Sequence, residues 1–213
     1  PVQDIAPVAL VAAVPIVLVV PPSSPAHSVQ ELIALAKREP GKLAFGSSSV
    51  GGTNHLAGEL LRTMAGIDIV HVPYRGAAPA MTDLIAGRLQ IYFDNMPGAL
   101  PQVRDGRVRA IAVAGAQRAR ALPDLPTVAE SGLPGFEASS WFGLGAAGTT
   151  PPALVDRITG EVSAVMQGSA LLERLADVGA EPGTLFGPDF VRYVAAERQK
   201  WGQLVRASGA RAD

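Results

Sequence analysis

From residue 28 to residue 113 the chain alternates between segments with helical spacing of apolar residues and short runs of β-branched ones. That alternation limits its fold more than any other feature. Ser28-Val-Gln-Glu31 opens the first helix as a capping box, in which serine and glutamate satisfy orphan N–H groups. The helix carries Leu32, Ile33 and Leu35 and ends near Pro40-Gly41. A strand is expected at 42–45, a loop of small residues at 46–52, and a helix at 55–64 with Leu56, Leu60, Leu61 and Met64 on one stripe. A strand at 67–72, a helix at 79–86 closed by Gly87, a strand at 89–93, a short helix at 97–103 and a strand at 108–113 complete the series. This β-α-β-α-β-α-β order predicts an α/β fold with a mostly parallel sheet covered on both faces.

The flanks differ. Pro123, Pro126 and Pro134 mark irregular chain, with a short helix expected near 127–130 and an extended segment at 135–146. Three helices follow at 152–166, 170–178 and 188–208, and their apolar stripes must pack on something. The first twenty residues offer one or two strands. Residues 5–26 carry no charge, but Pro7, Pro15, Pro21, Pro22 and Pro25 interrupt them. Lipid punishes unpaired backbone groups, so this run reads as buried strand and not as membrane insertion. No positive segment precedes it, so it is no signal peptide; for an exported protein the signal is expected upstream.

Composition excludes several classes. With a net charge of -1 and charged residues at only 17%, the chain has no electrostatic footprint for nucleic acid or anionic lipid. No cysteine is present, which removes disulfides, thiolate metal sites and cysteine nucleophiles. His27, His55 and His71 are the only histidines, and His55 and His71 lack the i, i+4 spacing of a zinc helix. No metal site is expected.

In an open α/β sheet, ligands bind beyond the carboxyl ends of the strands. Loops 46–53, 73–78, 94–98 and 114–118 lie on that edge. The first, Gly46-Ser-Ser-Ser-Val-Gly-Gly-Thr53, is built of small residues between a strand and a helix. It reads either as an anion cradle of backbone N–H groups or as a plain Ser/Gly turn with Thr53 as N-cap. It lacks the lysine of a P-loop, the spacing of a dinucleotide fingerprint and the second glycine of a nucleophile elbow. In the second, Arg75 either faces an anion or is a solvated surface charge. Asp94 either accepts a ligand ammonium or caps the next helix. A Ser48–His71–Asp94 triad can be drawn, but nothing in the spacing supports it. Trp141-Phe142 reads as cleft lining or as core.

Taken together, these residues resemble the substrate-binding receptors of tripartite tricarboxylate transporters, the Bug or TctC type. The resemblance runs nearly end to end and in order: Asp4-Ile-Ala-Pro-Val-Ala-Leu10, Leu18-Val-Val20, Pro40-Gly-Lys-Leu43, His55-Leu-Ala-Gly-Glu59, Val70-His-Val-Pro-Tyr-Arg-Gly-Ala-Ala-Pro79, Phe93-Asp-Asn95, Leu122-Pro-Asp-Leu-Pro-Thr-Val-Ala-Glu130, Gly132-Leu-Pro-Gly135 and Ser140-Trp-Phe-Gly143. His-Val-Pro-Tyr-Arg-Gly followed by Phe-Asp-Asn is the specific part.

The resemblance implies a type II periplasmic-binding-protein-like fold of two lobes, without catalysis or cofactor. It implies a complete lobe two at 23–135, and a lobe one at 1–22 and 136–213 that is incomplete because family members begin upstream. Ligand-lining residues would be Ser47, Ser48, Ser49, Gly51, Thr53, Tyr74, Arg75, Gly76, Ala77, Ala78 and Asp94. The expected ligand is a small carboxylate (dicarboxylate, tricarboxylate or amino acid). The expected partners are membrane transporter subunits, the expected location is the periplasm, and self-association of the chain is a further expectation. An α/β-type hydrolase and a ligand-sensing module are the alternatives. Backbone donors leave little trace in side chains, so the sequence selects no single carboxylate.

Overall fold

A single uncharged strand threads most of the architecture. In the computed structural model, which describes residues 4–208, β1 (Ile5–Val20) is one strand of 16 residues. Val17, Leu18, Val19 and Val20 are fully buried, and a central strand with neighbours on both sides has no face to spare for charge. The elements that follow are α1 (Val29–Arg38), β2 (Ala44–Ser47), α2 (Thr53–Ala65), β3 (Val70–Pro73), α3 (Ala77–Ile85), β4 (Ile91–Asn95), α4 (Met96–Arg104) and β5 (Arg109–Val113). Then come β6 (Ser139–Ala147), α5 (Pro152–Met166), α6 (Ser169–Asp177), β7 (Glu181–Pro182) and α7 (Gly187–Ser208).

The chain forms two compact units: Pro15–Ser140 makes up most of the larger, and Trp141–Gln203 with the segment up to Val14 makes up the smaller. The division falls between Val14 and Pro15 and between Ser140 and Trp141.

In the larger unit the strand order is β3-β2-β4-β1-β5. Strands β3, β2 and β4 run parallel, as the alternation predicted. The sheet is mixed, however, because β1 lies antiparallel between β4 and β5. Val17 pairs with Asp94 on one side and Val113 on the other, with a bulge between Leu18 and Val19. Periodicity marks a strand but not its neighbours, so this insertion was not legible. One core layer packs Ala80, Met81 and Leu84 of α3 and Met96, Ala99 and Leu100 of α4 against Val17, Val19, Tyr92 and Val113.

Helix α1 starts as expected, with Ser28 Oγ accepting from the Glu31 N–H at 3.2 Å. The return arm differs, since Glu31 accepts from the N–H of His27 at 2.6 Å. The helix expected near 127–130 is a turn. Thr127 and Glu130 exchange two bonds, N–H to Oε2 at 2.7 Å and N–H to Oγ1 at 3.0 Å. That pattern starts a helix, but Gly132 at φ 104° breaks the chain's course directly after it.

In the smaller unit the first half of β1 pairs with β6 and with β7, where Ala12 faces Pro182. Pro15, which has no N–H to give, stands where β1 changes partners, between Ala13↔Glu181 and Ile16↔Asn95. Leu154 of α5 and Leu172 of α6 are exposed, so these stripes are not wholly covered. Among the described residues no helix is long and apolar enough to cross a membrane.

Candidate ligand site

Strand β2 ends at Ser47, and α2 begins at Thr53. The turn between them bends at Gly51, whose φ of 77° suits glycine. The N-cap of α2 is Gly52, without a side-chain cap bond; Thr53 is already helical, which corrects its reading as N-cap. Helix α3 likewise starts from an N-cap glycine, Gly76, at φ 111° and without a side-chain cap. Both helices therefore present first-turn N–H groups that no N-cap side chain takes.

The structure joins these two loops through the backbone. The N–H of Tyr74 donates to Ser47 O at 2.8 Å, and that of Gly76 to Ser48 O at 2.9 Å. Ser48, half-buried, is bound to Asn54: Nδ2 of Asn54 donates to its Oγ at 2.9 Å and also reaches the Tyr92 hydroxyl at 3.3 Å. Asn54 thus sets the Ser48 hydroxyl, a role that an asparagine inside a helix does not announce in sequence. Ser49 and Gly51 are exposed, and so are Arg75, Ala77 and Ala78. The Tyr74 hydroxyl turns away to donate to Asp83 at 2.7 Å. Arg88 and Tyr74, both bonded to Asp83, hold its carboxyl below the usual range.

Ser47 differs from its neighbours. It is fully buried, and its hydroxyl lies 2.7 Å from His71 Nε2. His71 stacks on His55 at 3.8 Å between ring centres and 13° between planes, and on Phe45 at 4.9 Å. The Gly51 N–H donates to His55 Nδ1 at 2.9 Å. Burial lowers the pKa of both rings, that of His71 to about 4. The Ser48–His71–Asp94 triad does not form: Ser47, not Ser48, meets His71, and Ser47 is closed off from solvent.

Asp94 is the last but one residue of β4 and is 4% exposed. Burial raises its pKa to about 6, against the opposing bonds from the Asn95 N–H and Tyr92. It shares a cleft of about 410 Å³ with Ala77, Ala78, Met81, Thr82, Gly98, Gln102 and Arg107. Ala77, Ala78 and Asp94 are thus brought together. The buried Gln102 Oε1 has no hydrogen-bond partner, and neither it nor Arg107 was singled out in the sequence. The fourth loop is structural: Ala114 N–H donates to Ile16 O at 2.8 Å, and Arg118 pairs with Glu130 at 3.0 Å. Trp141 lines a separate apolar cavity of about 420 Å³ in the smaller unit, with Ile5, Leu144 and Phe190. Phe142 is 55% exposed. Among the described residues no group of three or more potential ligands is placed to hold a metal.

A mixed α/β sheet in two units, with glycine-capped helix starts joined at the strand ends, defines a type II periplasmic-binding-protein-like fold. The chain belongs to the tripartite tricarboxylate transporter family receptors (TctC), whose family model matches residues 1–210. It is 37% identical over 210 residues to Protein BugT of Bordetella pertussis, covering 98% of this chain and 64% of BugT. The chain thus spans less than two thirds of that relative's length. It is similar to R. palustris Rpa4515 with adipate, at 40% identity and a TM-score of 0.92 over 99% of this chain and 70% of that one. It is also similar to MatC (Rpa3494) from Rhodopseudomonas palustris with bound malate, at 28% identity and a TM-score of 0.83 over 95% of this chain and 70% of that one.

Proposed function

We propose that the chain is an extracytoplasmic solute-binding receptor, periplasmic and without turnover, that captures a small dicarboxylate for a tripartite tricarboxylate-type transporter in the membrane. The carrying observation is the pair of glycine-capped helix starts at Gly52 and Gly76, tied to each other through Ser47 and Ser48. Small residues let an anion approach the backbone, and each helix start favours negative charge by about 0.3–1 kcal/mol or more when partly buried. A micromolar complex needs about 8 kcal/mol. A handful of bonds to a charged group, at about 1.5–3 kcal/mol each, reaches that value. Ser48, Ser49, Gly51, Thr53, Arg75, Gly76, Ala77 and Ala78 would face the ligand, and Ser47 and Tyr74 would contribute through their backbone. Asp94 would take an amino group on ligands that carry one. Adipate and malate on the similar proteins favour a dicarboxylate. In this reading all these residues belong to lobe two. Ser47, the serine that meets His71, is fully buried, which speaks against the hydrolase alternative, because a nucleophile must be reachable.

Calorimetry against a panel of dicarboxylates and acidic amino acids tests the proposal. At least one dicarboxylate is expected to bind. Ser48→Asp should abolish that binding while leaving the circular dichroism spectrum unchanged, because a carboxylate at Ser48 repels an anion. Undiminished affinity in Ser48→Asp would remove the site from this loop.

A further inference from the structure

Two stacked imidazoles hold the two ends of one short loop. His71 meets Ser47 where the loop leaves β2, and His55 accepts from Gly51 where it turns into α2. The two contacts differ in their tolerance of a proton. A protonated His71 Nε2 still donates to a hydroxyl. A protonated His55 Nδ1 can no longer accept from the Gly51 N–H. The Gly51 bond therefore requires His55 unprotonated at Nδ1, with any ring proton on Nε2.

We propose that His55 is a positioning residue for loop 47–53: its unprotonated Nδ1 fixes Gly51, and protonation of this ring releases the loop. As a statement about ligand affinity, this rests on reading that loop as the carboxylate site.

The surroundings set when release occurs. His55 Nε2 lies 3.9 Å from Glu59 Oε1, which favours the cation. Glu59 is itself paired with Arg62 at 2.5 Å, which offsets that pull. Phe45 of β2 covers the stack, and His71 of β3 supplies the other titrating ring. Burial holds both rings below the ordinary 6.5, and repulsion from a charged His55 lowers His71 further, to about 4. His55 accordingly takes its proton below the ordinary 6.5, and its charge then opposes a proton on His71. A receptor loop of this construction grips at neutral pH and lets go in acid.

The test uses the whole chain with labelled histidines, followed by NMR from pH 7.5 downward. At neutral pH His55 should show the Nε2–H tautomer, and the Gly51 amide should move with the same midpoint as the His55 ring. Adipate affinity is then measured for the wild type and for His55→Gln, whose amide oxygen accepts from Gly51 but does not titrate. The ratio of the two dissociation constants cancels adipate's own titration. It should rise in acid by up to about tenfold per pH unit, the limit for one linked proton. A Gly51 amide that ignores the His55 titration, or a flat ratio, overturns the proposal. If neither adipate nor any other dicarboxylate of the panel binds either protein at pH 7.5 while Gly51 tracks His55, the receptor reading fails and the loop device stands. If adipate binds and Gly51 does not track His55, the reverse holds.

Discussion

The carboxyl of Asp94 stands where any side chain on Gly98 would have to go: a carbon added at Gly98 would meet Asp94 Oδ2 at 2.6 Å. Gly98→Ala should therefore push the carboxyl from its bonds and lower the melting temperature. Asp94→Asn should do the opposite at neutral pH. An aspartate raised from 3.8 to about 6 binds more protons folded than unfolded, so its cost is absent below pH 3.8 and complete above pH 6. At 1.36 kcal/mol per unit, the neutral amide could recover up to roughly 3 kcal/mol. Denaturant melts at pH 7.5 and at pH 4 check this, with the gain expected only at the higher pH.

Gly58 lies on the face of α2 that meets Phe45. A carbon there would stand 2.2 Å from the Phe45 ring, which also stacks on His71. Gly58→Ala gains helix propensity but overpacks a filled contact, and overpacking costs about 1–3 kcal/mol or more. Net destabilisation is expected in urea melts, together with a shifted His71 ring resonance.

Ser47→Ala deletes the hydroxyl beside the partly buried His71 Nε2 and removes that partner from the ring nitrogen. The expected loss is about 1–2 kcal/mol. Unfolding midpoints for Ser47→Ala and for Ser48→Ala, whose hydroxyl is half-buried, should differ in that order.

Glu197 Oε2 accepts from both tryptophans of the chain, Trp141 Nε1 at 3.1 Å and Trp201 Nε1 at 2.8 Å. Glu197→Ala leaves both indoles without this acceptor. Intrinsic fluorescence should report the change in both indole environments, alongside a loss of about 1–3 kcal/mol. Glu197→Gln, which keeps one acceptor oxygen, should lose less.

Much of the larger unit could be read from local pattern. Leu56 and Leu61 are buried in α2 on the stripe their spacing drew, although Met64 at its end is exposed, and α5 begins and ends where its apolar period does. What escaped depends on partners distant in sequence. No period in 5–20 reveals that Val17 lies between Asp94 and Val113. Thr127 and Glu130 have the spacing of a helix start, and only Gly132 and Pro134 beyond them decide for a turn. The site was legible as loops and not as contacts. Small residues at a strand end mark a backbone surface, whereas the strand's own alternation turns Ser47 inward to His71 and leaves Ser48 outside. Asn54 and Gln102 act through single bonds, or the lack of one, and carry no pattern.

Strand β1 also fixes an order of events during synthesis. Its residues leave the ribosome before every strand they pair with: Asn95 and Val113 come much later, and Glu181 and Pro182 later still. Until then an uncharged, valine-rich strand has both edges open, the kind of segment that recruits other chains. Such long-range pairing is also slow to form. The interval before β4 and β5 emerge is when a nascent chain of this topology most needs a chaperone, and a charge introduced at Val17, fully buried in the final sheet, would protect the nascent chain at the expense of the finished one.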